Sequence, residues 1–359
     1  MTSSALLLFE DDLSKELSLG HGALSRPAFH PFLPLVAVGT ATEENNEVVL
    51  ILFSNDAGPP RVRRRVTYKT SGPCATLRWL DDRTLVLALG SRYGELRLPA
   101  TAHAGKESSD WMLEITYASS EFHIDDVRDL AVDEGSLHVA SGGEDGQIFL
   151  FDFEHATKPS PRDVCVPLHM GGHNVGESVS SVAFYRPGGE IVSYTTDAGR
   201  FEIMDFRAAG GFGQLIKQAH AAEGELYSHA FVNNTAVLGF GSGRIALYDV
   251  RRMPTPLMTM FAGEAGTKLC SPGIGDVFAT GIMRELPTVL AFGGGGASEI
   301  VINCTHNGLS AIPIVSYSDA VESVFRGDIC PNAELLGATT SNGKLRFYHL
   351  PPMLGQEPL

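Results

Sequence analysis

The stretch Leu137-His138-Val139-Ala140-Ser141-Gly142-Gly143-Glu144-Asp145-Gly146-Gln147-Ile148-Phe149-Leu150-Phe151-Asp152 decides the fold. It reads as two apolar runs, His138 to Ser141 and Gln147 to Asp152, joined by the turn Gly143-Glu144-Asp145-Gly146. The same pattern returns at Ile191 to Asp205 around Asp197-Ala198-Gly199, at Ala236 to Asp249 around Gly241-Ser242-Gly243, and at Leu335 to His349 around Ser341-Asn342-Gly343. In all four the turn glycine stands five positions before a large apolar residue: Gly146 and Phe151, Gly199 and Met204, Gly243 and Tyr248, Gly343 and Tyr348.

Weaker copies fill the gaps. Leu85 to Leu98 offers Tyr93-Gly94 as its turn, Leu35 to Phe53 has a turn lengthened by Thr42-Glu43-Glu44-Asn45-Asn46, and Val289 to Ile302 substitutes the run Gly293 to Gly296. The unit ends Phe53, Leu98, Phe151, Met204, Tyr248, Ile302 and Tyr348 are 44 to 54 residues apart, the length of a propeller blade. Upstream segments such as Cys74 to Leu80, Val127 to Val132 and Val179 to Tyr185 supply first strands, and segments such as Trp111 to Ala118 supply fourth ones. The last unit lacks a fourth strand, and Ala5-Leu6-Leu7-Leu8-Phe9 is spare at the start; pairing them closes a ring and removes two exposed edges. The expected fold is therefore all-β: one seven-bladed β-propeller over 1–359. Residues 1–15 form its closing strand, blades lie near 20–70, 71–120, 121–170, 171–220, 221–262, 270–316 and 317–350, and 351–359 form a tail.

Composition agrees. Hydrophobic residues make up 43% of the 359 and charged ones 19%, enough apolar surface for a core and too little charge for disorder. The 39 Gly and 20 Pro without a period of three fit many tight turns. The net charge of −15 opposes generic nucleic-acid binding and suits protein partners. No apolar run approaches the roughly 20 residues that span a bilayer, and Ala5 to Phe9 followed by Glu10, Asp11 and Asp12 lacks the order of a signal peptide, so cytosol or nucleus is expected. Cys74, Cys165, Cys270, Cys304 and Cys330 are odd in number and widely spaced, which indicates buried thiols rather than disulfides or a zinc clamp.

These units resemble WD40 repeats. In the third, His123, Ser141, Asp145 and Phe151 stand where that family places a hydrogen-bonded tetrad of His, Ser or Thr, Asp and Trp; Phe here lacks the indole N–H, so the network loses one link. Within WD40 proteins the chain is similar to the small seven-bladed WD-repeat nucleoporins of the outer-ring, Y-shaped coat of the nuclear pore. The stretches that carry this are Glu43-Glu44-Asn45-Asn46-Glu47, Leu77-Arg78-Trp79-Leu80-Asp81-Asp82-Arg83, Asp205-Phe206-Arg207 before a Gly-rich loop, and Tyr248-Asp249-Val250-Arg251 with Met253-Pro254. The resemblance implies a structural nucleoporin: a non-enzymatic scaffold at the nuclear envelope rim, contributing to pore assembly and nucleocytoplasmic transport of protein and mRNA. It implies other coat subunits as partners, with no cofactor, metal, small-molecule substrate, direct nucleic-acid contact or membrane insertion. Phe212-Gly213, Phe240-Gly241 and Phe292-Gly293 are isolated FG pairs, not a permeability-barrier tract.

Enzyme motifs are missing: no G-x-x-x-x-G-K-[ST], H-E-x-x-H or G-x-S-x-G occurs. Gly293 to Gly296 has no helix after it to cradle phosphate and reads as a turn. His169 and His173 are separated by Gly171-Gly172 and read as loop histidines, Cys304 and His306 as a strand end, and Asp125-Asp126 as solvated acids at a blade entrance. The run Arg61-Val62-Arg63-Arg64-Arg65 reverses the charge locally. It falls on the outer strand of the first blade, where it either discourages sheet pairing or meets an acidic partner. Candidate partner contacts are therefore Arg61, Arg63, Arg64 and Arg65, together with the strand-end Arg207 and Arg251. The last two approximate the W-D-x-R box of WD40 substrate receptors of cullin-type ubiquitin ligases, an alternative function beside that of a peptide- or histone-reading adaptor. Thr42 to Glu47, Pro99 to Asp110 and Glu154 to Glu177 are longer than a turn requires and are candidate contact loops.

Overall fold

The computed structural model describes residues 6–13, 24–40, 46–54, 60–98, 114–133, 135–157, 166–185, 188–207, 213–219, 224–232, 234–242, 244–253, 255–261, 274–283, 286–293, 298–305, 308–316, 324–329, 335–340 and 343–349. They form seven four-stranded antiparallel sheets. After the opening strand β1 (Leu6–Asp12), the first sheet holds β2 (Ala28–Phe29), β3 (Leu35–Gly39), β4 (Glu47–Phe53) and β5 (Val62–Lys69). The second holds β6 (Cys74–Trp79), β7 (Thr84–Leu89), β8 (Arg92–Arg97) and β9 (Glu114–Glu121). The third holds β10 (Val127–Asp133), β11 (His138–Gly143), β12 (Gln147–Thr157) and β13 (Val166–Asn174). The fourth holds β14 (Val179–Phe184), β15 (Ile191–Thr196), β16 (Arg200–Asp205) and β17 (Gly213–Ala219), and the fifth holds β18 (Leu226–Val232), β19 (Thr235–Phe240), β20 (Arg244–Asp249) and β21 (Met258–Phe261). The sixth holds β22 (Ile274–Met283), β23 (Leu286–Gly293), β24 (Ser298–Thr305) and β25 (Gly308–Ser316). In the seventh, β26 (Val324–Ile329), β27 (Leu335–Thr340) and β28 (Lys344–His349) take β1 as their fourth strand.

The first strands touch in succession, β2 to β6 to β10 to β14 to β18 to β22 to β26, and β26 returns to β2. The architecture is a closed β-propeller. Closure is a strand pairing: β1 runs antiparallel to β28, with Leu7 opposite Tyr348 and Asp11 opposite Leu345. Glu10 reinforces it with Lys344 at 3.3 Å and the buried Arg346 at 2.7 Å.

Each described hydrophobic cluster straddles two sheets rather than lying within one. Val48 and Leu50 meet Leu77, Leu85 and Leu87, and Phe53 and Val38 meet Phe347 and Leu345. Val86 and Tyr93 meet Val139 and Phe151, Leu150 meets Val182 and Tyr194, and Phe201 meets Leu238 and Tyr248. This explains why β3, β7 and β11 are buried at every position: a middle strand has a neighbouring blade on both faces, so its sequence does not alternate apolar with exposed polar residues, and the few polar groups it holds, such as His138 and Ser141, are themselves buried. Where blades approach most closely the residue is glycine. A Cβ on Gly142 would lie 2.4 Å from Val179 Cγ1.

A repeated device is absent from the residue pattern. Six first strands carry a register shift near their start, at Cys74/Thr76, Val127/Asp129, Val179/Ser181, Leu226/Ser228, Ile274/Asp276 and Val324/Arg326. Such bulges increase local twist and re-aim one side chain. The turn expected at Tyr93-Gly94 is misplaced: the chain reverses at Gly90-Ser91, where Gly90 has φ 62°, and Tyr93 and Gly94 lie inside β8. Gly94 is there for space, since a Cβ would stand 2.7 Å from Leu89 Cδ1.

Candidate functional site

In the third blade, His123 on the link into β10 is the hub of a turn. Its Nδ1–H donates to Asp145 at 3.0 Å, and its Nε2 accepts from the Ser141 hydroxyl at 2.9 Å. Asp145 also accepts the backbone N–H groups of Ile124 (2.8 Å) and Gln147 (2.9 Å). Burial lowers the His123 pKa against the pull of Asp145, so the ring is neutral. Burial alone would raise the Asp145 carboxyl, but His123 and the two backbone donors outweigh it and hold the pKa below the usual range. Phe151 stands outside this hydrogen-bonded set. Its ring packs on Phe122 (4.7 Å), Tyr93 of the second blade (4.9 Å) and His169 (5.6 Å), while Phe149 lies 4.8 Å from His123. The buried Tyr93 hydroxyl makes no hydrogen bond of ordinary geometry; burial pushes its pKa far up, with only a small opposing pull from Ser141.

Polar bonds also stitch the blades together. Arg78 on β6 reaches Asp129 on β10 at 3.2 Å, and the other oxygen of Asp129 accepts from the Ser181 hydroxyl and the Val182 N–H of β14, both at 3.1 Å. His138 Nδ1 donates to the Gly189 carbonyl at 2.9 Å, and Ser193 accepts from His229 Nε2 at 2.7 Å. Four consecutive blades, the second to the fifth, thus share side-chain bonds as well as apolar packing. Pre-organised surfaces lose less entropy on docking than flexible ones.

The turns fall on two rims. On one, links between blades meet β-turns within them: Val127 N–H bonds Gly90 O, Glu144 N–H bonds Asp126 O, and Gly241 N–H bonds Glu225 O. This rim carries the exposed Ile124, Asp125 and Asp126 and an Arg128–Glu144 pair at 3.0 Å. On the other rim, His30 contacts Asp82 O and Gly188 N–H contacts Asp133. Exposed Phe32 and Leu257 project here, and in the second blade the rim holds a cleft of about 250 Å³ lined by Asp81, Arg83, Thr84 and Arg97.

Arg207 and Arg251 occupy equivalent places on the second rim. Each is bound through Nε and Nη2 by the aspartate two residues earlier, Asp205 at 2.8 and 2.6 Å and Asp249 at 2.8 and 2.7 Å. Asp249 is held down to about 2, chiefly by the Arg251 hydrogen bond. Both guanidiniums remain more than half exposed but are fixed in direction. Arg63, Arg64 and Arg65 lie on β5, the outermost strand of the first blade, and Arg61 immediately precedes it.

Two loop expectations require correction. His169 and His173 lie in β13, not in a loop, and most of the stretch 154–177 is strand: β12 continues to Thr157 and β13 pairs with it. Gly172 makes this possible, because a Cβ there would stand 2.7 Å from the Phe149 ring. Residues 42–45 and 99–110 lie outside the described residues. Asp125 and Asp126 are exposed at the blade entrance, and burial pushes the Cys74 thiol up to about 12. Among the described residues no three His, Cys, Asp or Glu side chains gather to hold a metal ion. Sequence reasoning missed Asp129, Ser193 and His229, whose partners are in other blades.

No family model matches this chain, and no curated protein matches it. Among solved structures, a chain in the crystal structure of the mitotic checkpoint complex, a WD40 β-propeller, aligns over 98% of this chain and 91% of its own length, with a TM-score of 0.65 and 15% identity. The fold is a WD40-type β-propeller. At that identity the likeness shows the fold alone, and 1447 solved chains match this one. So common a fold selects neither a function nor a partner.

Proposed function

We propose that this chain is a structural nucleoporin of the nuclear pore's outer-ring coat: a non-enzymatic scaffold at the nuclear envelope rim, docked on other coat subunits and contributing to pore assembly and nucleocytoplasmic transport. The observation that carries the reading is the ordered set of stretches from Glu43 to Pro254 that resemble this family, carried on a WD40-type ring. The cross-blade bonds of Arg78, Asp129 and Ser181 supply the stiffness a coat subunit needs. Tagged protein should give a punctate nuclear rim and co-purify with coat subunits. A diffuse signal without those partners would refute the proposal.

A second reading has one specific support. The matched Asp205–Arg207 and Asp249–Arg251 forks on adjacent blades suit a substrate receptor of a cullin-type ubiquitin ligase. Charge reversal at both arginines should abolish capture of a ligase adaptor; capture that survives reversal removes this reading.

A further inference from the structure

We propose that Thr255, in the loop between β20 and β21, is a phosphoacceptor for a proline-directed protein kinase, and that Arg252 holds the phosphate it receives. The proposal is independent of the scaffold reading and requires no nuclear pore.

Ser/Thr-Pro pairs stand at Ser160, Thr255 and Ser271. Residues 160 and 271 lie outside the described residues, whereas Thr255 is on the second rim in a loop tied down at both ends. Val250 N–H bonds Asn234 O at 2.9 Å, Arg252 N–H bonds Asp249 O at 2.8 Å, and Leu257 N–H bonds Leu247 O at 2.7 Å. Val250 is buried, and Met253 packs on the cluster of Phe201, Leu238 and Tyr248. With those two side chains turned inward, Arg251, Arg252, Thr255 and Leu257 are left exposed.

The Thr255 hydroxyl makes no hydrogen bond among the described residues, so nothing in the fold competes for it. Pro256 biases Thr255 toward extended backbone and itself has no N–H. A kinase cleft takes its substrate extended, and a cleft that is apolar just behind the phosphoacceptor matches a residue without an N–H.

Charge around Thr255 suits the product. Residues 250–261 hold Arg251 and Arg252 and no acid. The two arginines are differently engaged. Arg251 is bound through Nε and Nη2 to Asp249. The Arg252 side chain makes no hydrogen bond or ion pair among the described residues, and exerts only a minor pull on Asp249. Three residues of chain separate Arg252 from Thr255, no more than about 11 Å between their Cα atoms. A phosphothreonine carries about −1.5 to −2 charges and three strong acceptor oxygens. Arg252 therefore takes the phosphate while the Asp249–Arg251 fork stays closed, and the modification cancels most of the positive charge of this loop without altering the fold.

The test treats the full, folded chain with a purified proline-directed kinase and Mg-ATP and locates phosphate by mass spectrometry. In the transfer the Thr255 oxygen bonds the γ-phosphorus, the bond from that phosphorus to the bridging oxygen breaks, ADP leaves with the electron pair, and the hydroxyl proton passes to the kinase's base. Thr255 should be modified in the native chain; Pro256→Ala should slow the transfer at least about tenfold and Arg252→Ala should change it less than about twofold. Thr255→Ala should melt at the wild-type temperature, because that hydroxyl has no partner to lose. Phosphorus NMR of the modified chain should give a second phosphate pKa below the usual value of about 6 in wild type and a higher one in Arg252→Ala, since a neighbouring cation favours the dianion. Phosphate that reaches Thr255 only after heat denaturation, or in neither state, would overturn the proposal. So would transfer that survives Pro256→Ala and is lost in Arg252→Ala, which would make the enzyme an arginine-directed kinase. Identical phosphate titrations in wild type and Arg252→Ala would overturn the docking on Arg252.

Discussion

Two buried histidines show how differently this ring is held together. His123 in the third blade uses both ring nitrogens, on Asp145 and Ser141, and its carboxylate partner fixes two backbone amides as well. His229, between the fourth and fifth blades, has Ser193 alone; its Nδ1 has no hydrogen-bond partner, and burial among Phe201 and Phe231 depresses its pKa to about 4. The first is a local knot within one repeat, and the second a seam whose partner comes from the preceding blade. At the knot a proton added at Nε2 displaces the Ser141 hydrogen bond but its charge sits beside the Asp145 carboxylate, whereas at the seam it lands on an Nδ1 with no partner.

The largest effect should come from removing the knot. Asp145→Ala strips His123, Ile124 and Gln147 of their acceptor and leaves the buried His123 Nδ1–H unsatisfied, costing about 3 kcal/mol. Denaturant titration measures it, and a loss under about 1 kcal/mol would mean that water replaces the carboxylate without penalty. The seam is tested by pH. The unfolded imidazole takes its proton near 6.5 and the folded one only near 4, so below 6.5 the unfolded state binds a proton that the native state excludes. Stability should fall by about 3 kcal/mol as pH drops across that window and level off beneath it. Because the His123 pKa is lowered too, the measurement is the difference between wild type and His229→Leu, which should show a shallower decline. Parallel pH profiles would exclude the seam as its source.

The same contrast explains what could be read in the sequence. His123, Ser141 and Asp145 have partners within one repeat, and the turn glycines recur at fixed spacing, so strand pairs, blade spacing and ring closure were visible. His229 and Asp129 are bonded to residues 36 and 52 positions away, and no local spacing marks such pairs. The recurrent bulges escaped for another reason: a register shift depends on the backbone, and the residues it skips, among them Ala75, Arg128, Ser180 and Tyr227, share no chemistry. Errors over Tyr93-Gly94 and Gly171-Gly172 have one cause. Tyr93-Gly94 reads as a turn and Gly171-Gly172 as part of a loop, while Gly94 and Gly172 provide room for Leu89 and Phe149 inside strands.

The position of Phe151 tests whether family resemblance or packing governs the knot. Substituting the family's tryptophan does not restore a missing link, because the Phe151 ring is fully buried between Tyr93, Phe122 and His169 rather than directed at Ser141. Phe151→Trp should therefore destabilise by about 1–3 kcal/mol through overpacking. A gain in stability would show that the indole reaches Ser141 and that the aromatic cluster yields.

The smallest effect belongs to the exposed neighbour of the knot. Glu144 lies beside Asp145 in sequence and pairs with Arg128 at 3.0 Å, but their side chains are 47% and 41% exposed. Water and salt already solvate both groups, and holding two long side chains together costs entropy that offsets the Coulomb gain. Glu144→Gln should alter stability by less than about 0.5 kcal/mol in denaturant titrations at about 0.15 M salt. A loss comparable with that of Asp145→Ala would mean that the turn is held by its surface charge, and the division between a buried knot and an incidental rim pair would have to be abandoned.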